Sequence, residues 1–181
     1  MRTLSLNCRG LGNLTTVSEL HGLVKTEVPK IVFLMETRLP IRSLEVLRVT
    51  FRMHGCFGVD RSSYGGGLAL LWDSSVVVHI QSYSKFHIDA HVFQPDGLSW
   101  RVTGFYGHPE ASMRSRSWAL LRRLHAMGDM PWLVLGDFNE IVKLEEKFGR
   151  DDRSLTQMEA FRDSLTDCSL LDLGFVGPLF T

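Results

Sequence analysis

The chain has 181 residues, of which 44% are hydrophobic and 10% aromatic, enough to bury a continuous core in one domain of ordinary size. Lys plus Arg and Asp plus Glu both number 20, so the chain lacks the excess positive charge that gives many DNA-binding domains their non-specific affinity. We therefore expect a single domain over residues 1–181, and net charge alone predicts no nucleic-acid partner.

Neither a membrane span nor a disulfide framework is indicated. No apolar run approaches the roughly 18 residues that cross a bilayer, and the start of the chain alternates polar and apolar residues, unlike a signal peptide. Cys8, Cys56 and Cys168 are odd in number and widely spaced, which favours free thiols over disulfides or a thiolate zinc site. We expect an intracellular protein, nuclear or cytoplasmic, with no membrane partner and no small-molecule cofactor.

In chain order, the hydrophobic pattern predicts strand, helix, strand, then a run of hairpins, and finally helix, strand and helix. Strands are predicted at residues 3–7, 31–35, 57–59, 68–72, 76–80, 87–93, 100–105 and 132–135, with turns at 65–67, 73–75 and 95–97. Helices are predicted from a capping box at Thr16 and Glu19 to Pro29, around Leu44 and Leu47, over residues 113–127, and from a capping box at Thr156 and Glu159. The strands at 31–35 and 132–135 are expected to be buried. This order predicts an α/β or α+β domain with sheets inside and helices outside.

Four of these strands end abruptly in a residue that can bind metal or phosphate, namely Asn7, Glu36, Tyr106 and Asp137. Strand ends that share one edge of a sheet make a natural crevice for a ligand. Two carboxylates, Glu36 and Asp137, suit Mg²⁺, which keeps waters and phosphate oxygens as its other ligands. Asn139 stands two residues after Asp137, so it projects to the same side of an extended segment and can donate a hydrogen bond to a phosphate or a water. From the residues alone, a solvated loop at Glu36 and an ordinary turn at 136–139 stay open.

Four motifs occur together in the order of the endonuclease/exonuclease/phosphatase superfamily, which the chain resembles from residue 4 to residue 181. They are Asn-Cys-Arg-Gly-Leu-Gly at 7–12, Phe-Leu-Met-Glu-Thr at 33–37, Gly-Phe-Tyr-Gly at 104–107 and Gly-Asp-Phe-Asn at 136–139. Within that superfamily, the first motif, the segment around Glu36 and residues 172–181 look most like the endonuclease domain of plant LINE-type, non-LTR retrotransposons. The resemblance implies a four-layer sandwich of two mixed β-sheets flanked by helices.

The resemblance also implies roles for five residues. Glu36 would bind Mg²⁺ or Mn²⁺, with Asn7 and Asp137 in the same metal shell. Asn7, Asp137 and Asn139 would order the phosphate and the attacking water, and Tyr106 would contact the phosphate. The implied reaction is metal-dependent hydrolysis of a DNA phosphodiester. His108 is not assigned as a catalytic base, because the histidine of the family lies elsewhere.

The chain departs from the family pattern in two respects. Arg9 stands where related apurinic endonucleases carry an acidic residue, as it does in the plant-element subgroup, which implies a single-metal site. The Arg-x-Asp strand and terminal Ser-Asp-His of the family have no counterpart in residues 1–181, and Asp151, Asp152 and Asp172 do not match them and are interpreted as surface or cap residues. We therefore expect a C-terminally truncated domain with an incomplete second sheet and little or no nuclease activity.

Two alternatives stay open at this point. In the first, the chain is a non-enzymatic module that binds nucleic acid or protein. In the second, it is a phosphatase-type relative that acts on a small phosphate ester. The sequence gives no indication of the oligomeric state.

Overall fold

The structure is a computed structural model that describes residues 1–62, 65–146 and 153–174. The chain forms two compact units, the first made of residues 1–106 and 130–137 and the second of residues 107–129 and the described part of 138–181. The eight strands of the described residues all lie in the first unit. A single domain over residues 1–181 therefore remains a prediction.

The described residues form eight strands and four α-helices. The strands are β1 Thr3–Asn7, β2 Ile31–Met35, β3 Gly55–Ser62, β4 Gly65–Trp72, β5 Val77–Ser84, β6 His87–Phe93, β7 Ser99–Tyr106 and β8 Trp132–Asp137. The α-helices are α1 Leu14–Glu27, α2 Leu44–Thr50, α3 Arg114–His125 and α4 Leu155–Asp167, and short 3₁₀ turns lie at Ile41–Ser43, Ala111–Met113 and Leu144–Glu146. None of the helices in the described part of the chain is long and apolar enough to span a membrane.

The strands form two mixed four-stranded sheets, in the orders β1-β2-β4-β3 and β5-β6-β7-β8. Each sheet contains one parallel pair, β1 with β2 and β7 with β8, and its other pairs are antiparallel. In the parallel pairs Asn7 lies opposite Met35, and Tyr106 lies opposite Asp137. Since parallel strands present their carboxyl ends at one edge, each sheet places two of the predicted strand-end positions side by side.

The first sheet is covered on both faces within the first unit. One face packs against α1 and α2, with Leu20 and Leu44 among the buried helix residues. The other face packs against the second sheet, where Phe33 and Ile88 are fully buried. All five residues of β2 are at most 2% exposed, because this strand lies inside a sheet that is itself an inner layer. The predicted α/β fold with two mixed sheets and helices is confirmed.

The second unit contains α3 and α4, which pack through aromatic and aliphatic side chains. The rings of Trp118 and Phe161 stack with centroids 4.5 Å apart, and Phe138 lies 5.3 Å from Phe161. Leu121 and Met158 are at most 1% exposed. These apolar residues recur every three or four positions along each helix. The apolar stripes expected from the sequence therefore form the contact between the two helices.

Both predicted capping boxes are wrong. Helix α1 begins at Leu14, where the side chain of Asn13 accepts a hydrogen bond from the Thr15 N–H at 2.9 Å. Helix α4 begins at Leu155, with Ser154 at the N-cap in an extended conformation. In α1 the Asn13 side chain accepts from an N–H group of the first turn that has no partner within the helix. Asparagine is among the most favoured N-cap residues. The helix therefore starts earlier than the Thr16 motif indicates.

Two further predictions are corrected in the sheets. Residues 65–67 belong to β4 and not to a turn, because β3 continues to Ser62 and pairs with the glycine run. Strand β8 is half-buried along its whole length and not fully buried. Among the described strands it pairs only with β7 at the end of its sheet, so part of its surface is left without a neighbouring strand.

Replacement of Gly104 by alanine tests the packing between the sheets. A Cβ on Gly104 would overlap the ring of Phe33 in the facing sheet. Because the Phe33 side chain is fully buried, its ring cannot move aside into solvent. We expect Gly104→Ala to lower the free energy of unfolding by about 1–3 kcal/mol, measured by urea denaturation followed by tryptophan fluorescence. The matched control is Gly22→Ala on α1, where no atom beyond the helix's own neighbouring backbone lies within 4 Å of the added Cβ and helix propensity predicts a gain of about 0.5–1 kcal/mol. A Gly104→Ala protein as stable as wild type would contradict the close approach of the two sheets.

Candidate active site

The carboxyl ends of four strands bring Asn7, Glu36, Tyr106 and Asp137 together in the first unit. Asn7 ends β1, Glu36 follows β2, and Tyr106 and Asp137 end β7 and β8. The first two come from one sheet and the last two from the other. The strand ends expected to converge therefore meet where the two sheets face each other, and all four residues belong to the same compact unit.

Hydrogen bonds connect all four side chains. The Asn7 amide nitrogen donates to Glu36 Oε1 at 3.2 Å and to Asp137 Oδ2 at 3.0 Å. The Tyr106 hydroxyl donates to the same Glu36 oxygen at 2.7 Å. One amide group therefore holds two carboxylates close together, a pairing that would be repulsive without a donor or a cation between them.

Glu36 is held in its ionised form. Burial raises the pKa of its carboxyl group, but hydrogen bonds from Tyr106, Asn7 and Arg38, together with the positive charge of Arg38, more than offset this and keep the pKa below the ordinary glutamate value. The Arg38 Nη2 atom lies 3.4 Å from Glu36 Oε2. The neighbouring Cys8 thiol is protonated, because burial first and the charge of Glu36 second raise its pKa to about 12.

The donor set suits a hard divalent cation. Glu36 and Asp137 supply carboxylate oxygens, and Mg²⁺ is commonly held by one or two carboxylates while waters and phosphate oxygens complete its shell. No group of three His, Cys, Asp or Glu residues that could hold a metal occurs in the described ranges. The Asn7 amide oxygen accepts the Arg9 N–H at 3.2 Å, so ligation through this oxygen would require the amide group to rotate.

The backbone around Asp137 explains why glycine precedes it. Gly136 has φ +144°, and a Cβ there would overlap the carbonyl of Phe105 on the adjacent strand. The Asp137 N–H lies 3.1 Å from the sulfur of Met35, in the facing sheet. A side chain at position 136 would push β8 away from β7, and the carboxylate of Asp137 would move away from Asn7 with it.

Several non-glycine residues at these strand ends have a left-handed backbone. Arg9, Glu36, Arg38 and Asn139 have φ between 49° and 57°. For most residues this conformation costs roughly 1–2 kcal/mol, and such residues cluster at functional sites. At Thr37 and Arg38, backbone N–H groups donate to Gly67 and Gly66 at 3.1 and 3.0 Å, which holds the strained segment against the start of β4.

Asn139 belongs to the second unit, so the four-residue cluster does not include it. Its side-chain nitrogen donates to the Gly107 carbonyl at 2.8 Å. The next residue, Glu140, has a fully buried side chain that accepts from Arg114 Nη1 at 2.8 Å and lies 3.8 Å from Arg153 Nε. Arg114 also donates to Gln157 on α4 at 3.3 Å. A buried ionic network of α3 and α4 thus anchors the segment that carries Asn139.

The remaining residues considered in the sequence lie outside this cluster or outside the described chain. The His108 N–H donates to Ser117, and the Glu110 N–H donates to the His108 ring at 3.3 Å, so the ring takes part in a local turn. Asp172 is exposed and accepts from the Gly174 N–H. Asp151 and Asp152 lie outside the described residues.

Sequence reasoning missed Arg38, Arg114 and Glu140. Arg38 follows Glu36 by two residues and Glu140 follows Asn139 directly, so proximity to a motif was the available signal. Arg114 carried no such signal, because a basic residue at the start of a helix is usually a solvated one. Its burial to 5% exposure becomes visible only when the two helices are packed.

Comparison with known proteins identifies the fold. The profile of the Endonuclease/Exonuclease/phosphatase family matches residues 4–173, and no curated protein matches the sequence. An AP endonuclease from Leishmania major is similar at 15% identity and a TM-score of 0.63, over 92% of this chain and 65% of that one. The endonuclease domain of TRAS1, a telomere-specific non-LTR retrotransposon, is similar at 13% identity and a TM-score of 0.61, over 92% of this chain and 70% of that one.

A sugar phosphatase shares the same fold. The mannosyl-6-phosphatase of Bacteroides thetaiotaomicron is similar at 16% identity and a TM-score of 0.61, over 89% of this chain and 69% of that one.

This chain spans just under two thirds of the length of the Leishmania enzyme. At these identities the similarity shows the fold, and it does not separate nucleases from phosphatases.

Loss of the Glu140 charge tests the buried network of the second unit. Glu140→Gln would leave Arg114 buried beside a neutral partner, and breaking a buried ion pair in this way typically costs about 3–5 kcal/mol. We expect a loss of that size in the free energy of unfolding, measured by denaturant titration with circular dichroism. The control, Glu159→Gln, changes an exposed residue of α4 and should alter stability by less than about 0.5 kcal/mol. Equal losses in the two variants would show that the network adds nothing specific.

Proposed function

The chain belongs to the endonuclease/exonuclease/phosphatase family, and on that premise we propose that it carries a divalent-metal-dependent phosphodiesterase site whose substrate is DNA. The observation that supports this most directly is the pair of carboxylates, Glu36 and Asp137, held by the single amide of Asn7. Tyr106 completes the cluster through its bond to Glu36. Four oxygen- or nitrogen-bearing side chains at converging strand ends suit phosphate and a hard cation.

In this proposal each side chain has a distinct role. A bound divalent cation would supply charge neutralisation at the scissile phosphate and its leaving oxygen. Glu36 and Asp137 would hold that cation, and Asn7 would keep the two carboxylates at their spacing. The Tyr106 hydroxyl has one proton to donate, so it would either orient Glu36 as in the structure or donate to a phosphate oxygen as charge develops there. For Asn139, which belongs to the second unit, donation to the phosphate or to the attacking water stays a prediction from the sequence.

We further propose that the chain derives from a retrotransposon endonuclease and cleaves DNA weakly on its own. The first part is supported by the plant-element character of the first motif and by a fold shared with the TRAS1 endonuclease domain. The second part is supported by the cluster itself, which offers two carboxylates, an amide and a phenol but no imidazole as a general acid or base. Loss of a general acid or base typically lowers a rate by 10² to 10⁴.

The phosphatase alternative stays open because a mannosyl-6-phosphatase shares the fold. A phosphatase site would use the same two carboxylates. Its substrate would be a small phosphate ester instead of DNA. Rates measured side by side on plasmid DNA and on a simple phosphate monoester separate the two substrates. A higher rate on the monoester would replace DNA as the proposed substrate.

A metal-binding and nicking experiment tests the proposal. We expect the wild-type chain to bind Mn²⁺, detected by electron paramagnetic resonance, and to nick supercoiled plasmid slowly in Mg²⁺. Glu36→Gln and Asp137→Asn should each weaken Mn²⁺ binding by at least about tenfold and remove the nicking. The control, Asp163→Asn, changes an exposed carboxylate of α4 and should leave both unchanged.

Two outcomes would contradict parts of the proposal. Robust nicking that is lost in Asp137→Asn would overturn the weak activity and keep the site. Mn²⁺ affinity that is the same in wild type, Glu36→Gln and Asp137→Asn would overturn the metal site itself. Salt-dependent DNA binding without any metal dependence would then favour a non-enzymatic binding module.

A further inference from the structure

Two histidines lie directly opposite each other on neighbouring strands of the second sheet. His79 on β5 and His91 on β6 are partners in the antiparallel register. Their chain neighbours Val78 and Val92 pack between the two sheets, and successive residues of a strand point to opposite faces. The two imidazoles therefore lie side by side on the outer face of the second sheet.

One aromatic ring borders both histidines. The centroid of the Phe93 ring lies 5.2 Å from that of His79 and 6.5 Å from that of His91. Directly opposite residues of antiparallel strands have Cβ atoms about 4.5–5.5 Å apart, so the two imidazoles can turn their ring nitrogens toward one point. His79 is exposed and His91 is half-buried, so a ligand can reach that point from solvent.

The ring nitrogens of this pair are not engaged by other protein groups. In the described part of the chain, no hydrogen bond or ion pair involves the ring of His79 or His91. A third histidine of the same face, His87, differs, because its ring nitrogens lie 3.1 and 2.8 Å from the hydroxyls of Ser82 and Ser84. The first two imidazoles are therefore available to an external ligand, whereas that of His87 is already bonded.

Two charged residues on this face form a buried ion pair. Arg101 lies opposite His91 on β7, and its Nε atom donates to Asp89 Oδ1 at 2.8 Å. Both residues are at most 2% exposed. Because the carboxylate offsets the guanidinium charge, the pair does not exclude a cation from the two histidines.

We propose that His79 and His91 form a two-histidine site for a first-row transition metal ion, with Cu²⁺ bound more tightly than Ni²⁺ or Zn²⁺. Neutral imidazole suits these ions, whereas Mg²⁺ and Mn²⁺ prefer oxygen ligands. A zinc–imidazole bond is about 2.0–2.1 Å long, so one ion placed between two directly opposite imidazoles can bind both. Waters complete its shell, and the bound ion links β5 to β6.

The two-histidine site is separate from the candidate active site. Arg101, opposite His91, and Tyr106 lie five positions apart on β7, so their side chains point to opposite faces of the sheet. At about 3.3 Å per residue, the two positions are roughly 16 Å apart along the strand. Metal binding at the two histidines therefore does not require a metal at Glu36 or Asp137.

The opposing explanation is a pair of ordinary surface histidines that pack against an aromatic ring. Independent histidines each bind a metal weakly through one nitrogen, so loss of one leaves the affinity of the other unchanged. A chelating pair behaves differently, because the first bond raises the effective concentration of the second imidazole at the ion. The number of nitrogens bound to one ion, and the effect of combined substitutions, distinguish the two explanations.

The test uses the full chain without an affinity tag and Cu²⁺ as the probe. Electron paramagnetic resonance is expected to show hyperfine coupling of Cu²⁺ to two nitrogens in the wild type. We expect His79→Asn and His91→Asn each to remove this signal and to lower Cu²⁺ affinity, measured by isothermal titration calorimetry, at least about tenfold. The double variant should lose little more than either single one. The control, His54→Asn, changes an exposed histidine before β3 and should match wild type.

Three results would overturn the two-histidine site. The first is coupling of Cu²⁺ to a single nitrogen in the wild type, and the second is a double variant whose loss is the sum of the two single losses. The third comes from Glu36→Gln, which should leave the two-nitrogen signal unchanged. Loss of the signal in that variant would assign Cu²⁺ to the strand-end cluster instead.

Discussion

The site depends on one amide group placed between two negative charges. Asn7 Nδ2 donates to Glu36 and to Asp137, and without this donor the carboxylates would repel each other across a partly buried space. Asn7 and Glu36 follow strands of one sheet, whereas Asp137 ends a strand of the other. The bond therefore forms only when the apolar faces of the two sheets meet at the right spacing. That spacing is set by contacts such as Phe33 against Gly104, where no room for a Cβ remains.

The stable core of the first unit also supports a costly backbone at the site. Glu36 and Arg38 have left-handed φ values of 49° and 53°, which the chain would avoid in isolation. They follow β2, whose five residues are almost completely buried, and their segment is bonded to Gly66 and Gly67 at the start of β4. Burial of β2 fixes where the strand ends, and the bonds to β4 then hold the turn that places Glu36 beside Asn7 and Tyr106.

The sequence predicted the strands and their polar ends, because period-two patterns and abrupt apolar-to-polar changes are local signals. Asn7, Glu36, Tyr106 and Asp137 were recognisable in this way. The parts that could not be predicted depend on distant contacts. The start of α1 was misjudged because Asn13 competes with Thr16 as a cap, and the burial of Arg114 follows from the packing of α3 on α4. Neither the shared Asn7 donor nor the contact of Arg38 with Glu36 is visible until the strand ends are folded together.

The two oxygens of the Glu36 carboxylate accept hydrogen bonds from different kinds of donor. Tyr106 and Asn7 fix Oε1 with neutral donors, which orient the group without cancelling its charge. These bonds and Arg38 keep the pKa of Glu36 below its ordinary value even though burial raises it, so the carboxylate is ionised at neutral pH and releases no proton when a cation arrives. Of these three donors Arg38 is the charged one and the most exposed, and an exposed ion pair contributes little to stability. The orientation of the carboxylate therefore depends on Tyr106 and Asn7, and replacing either of them would release Glu36 from that orientation.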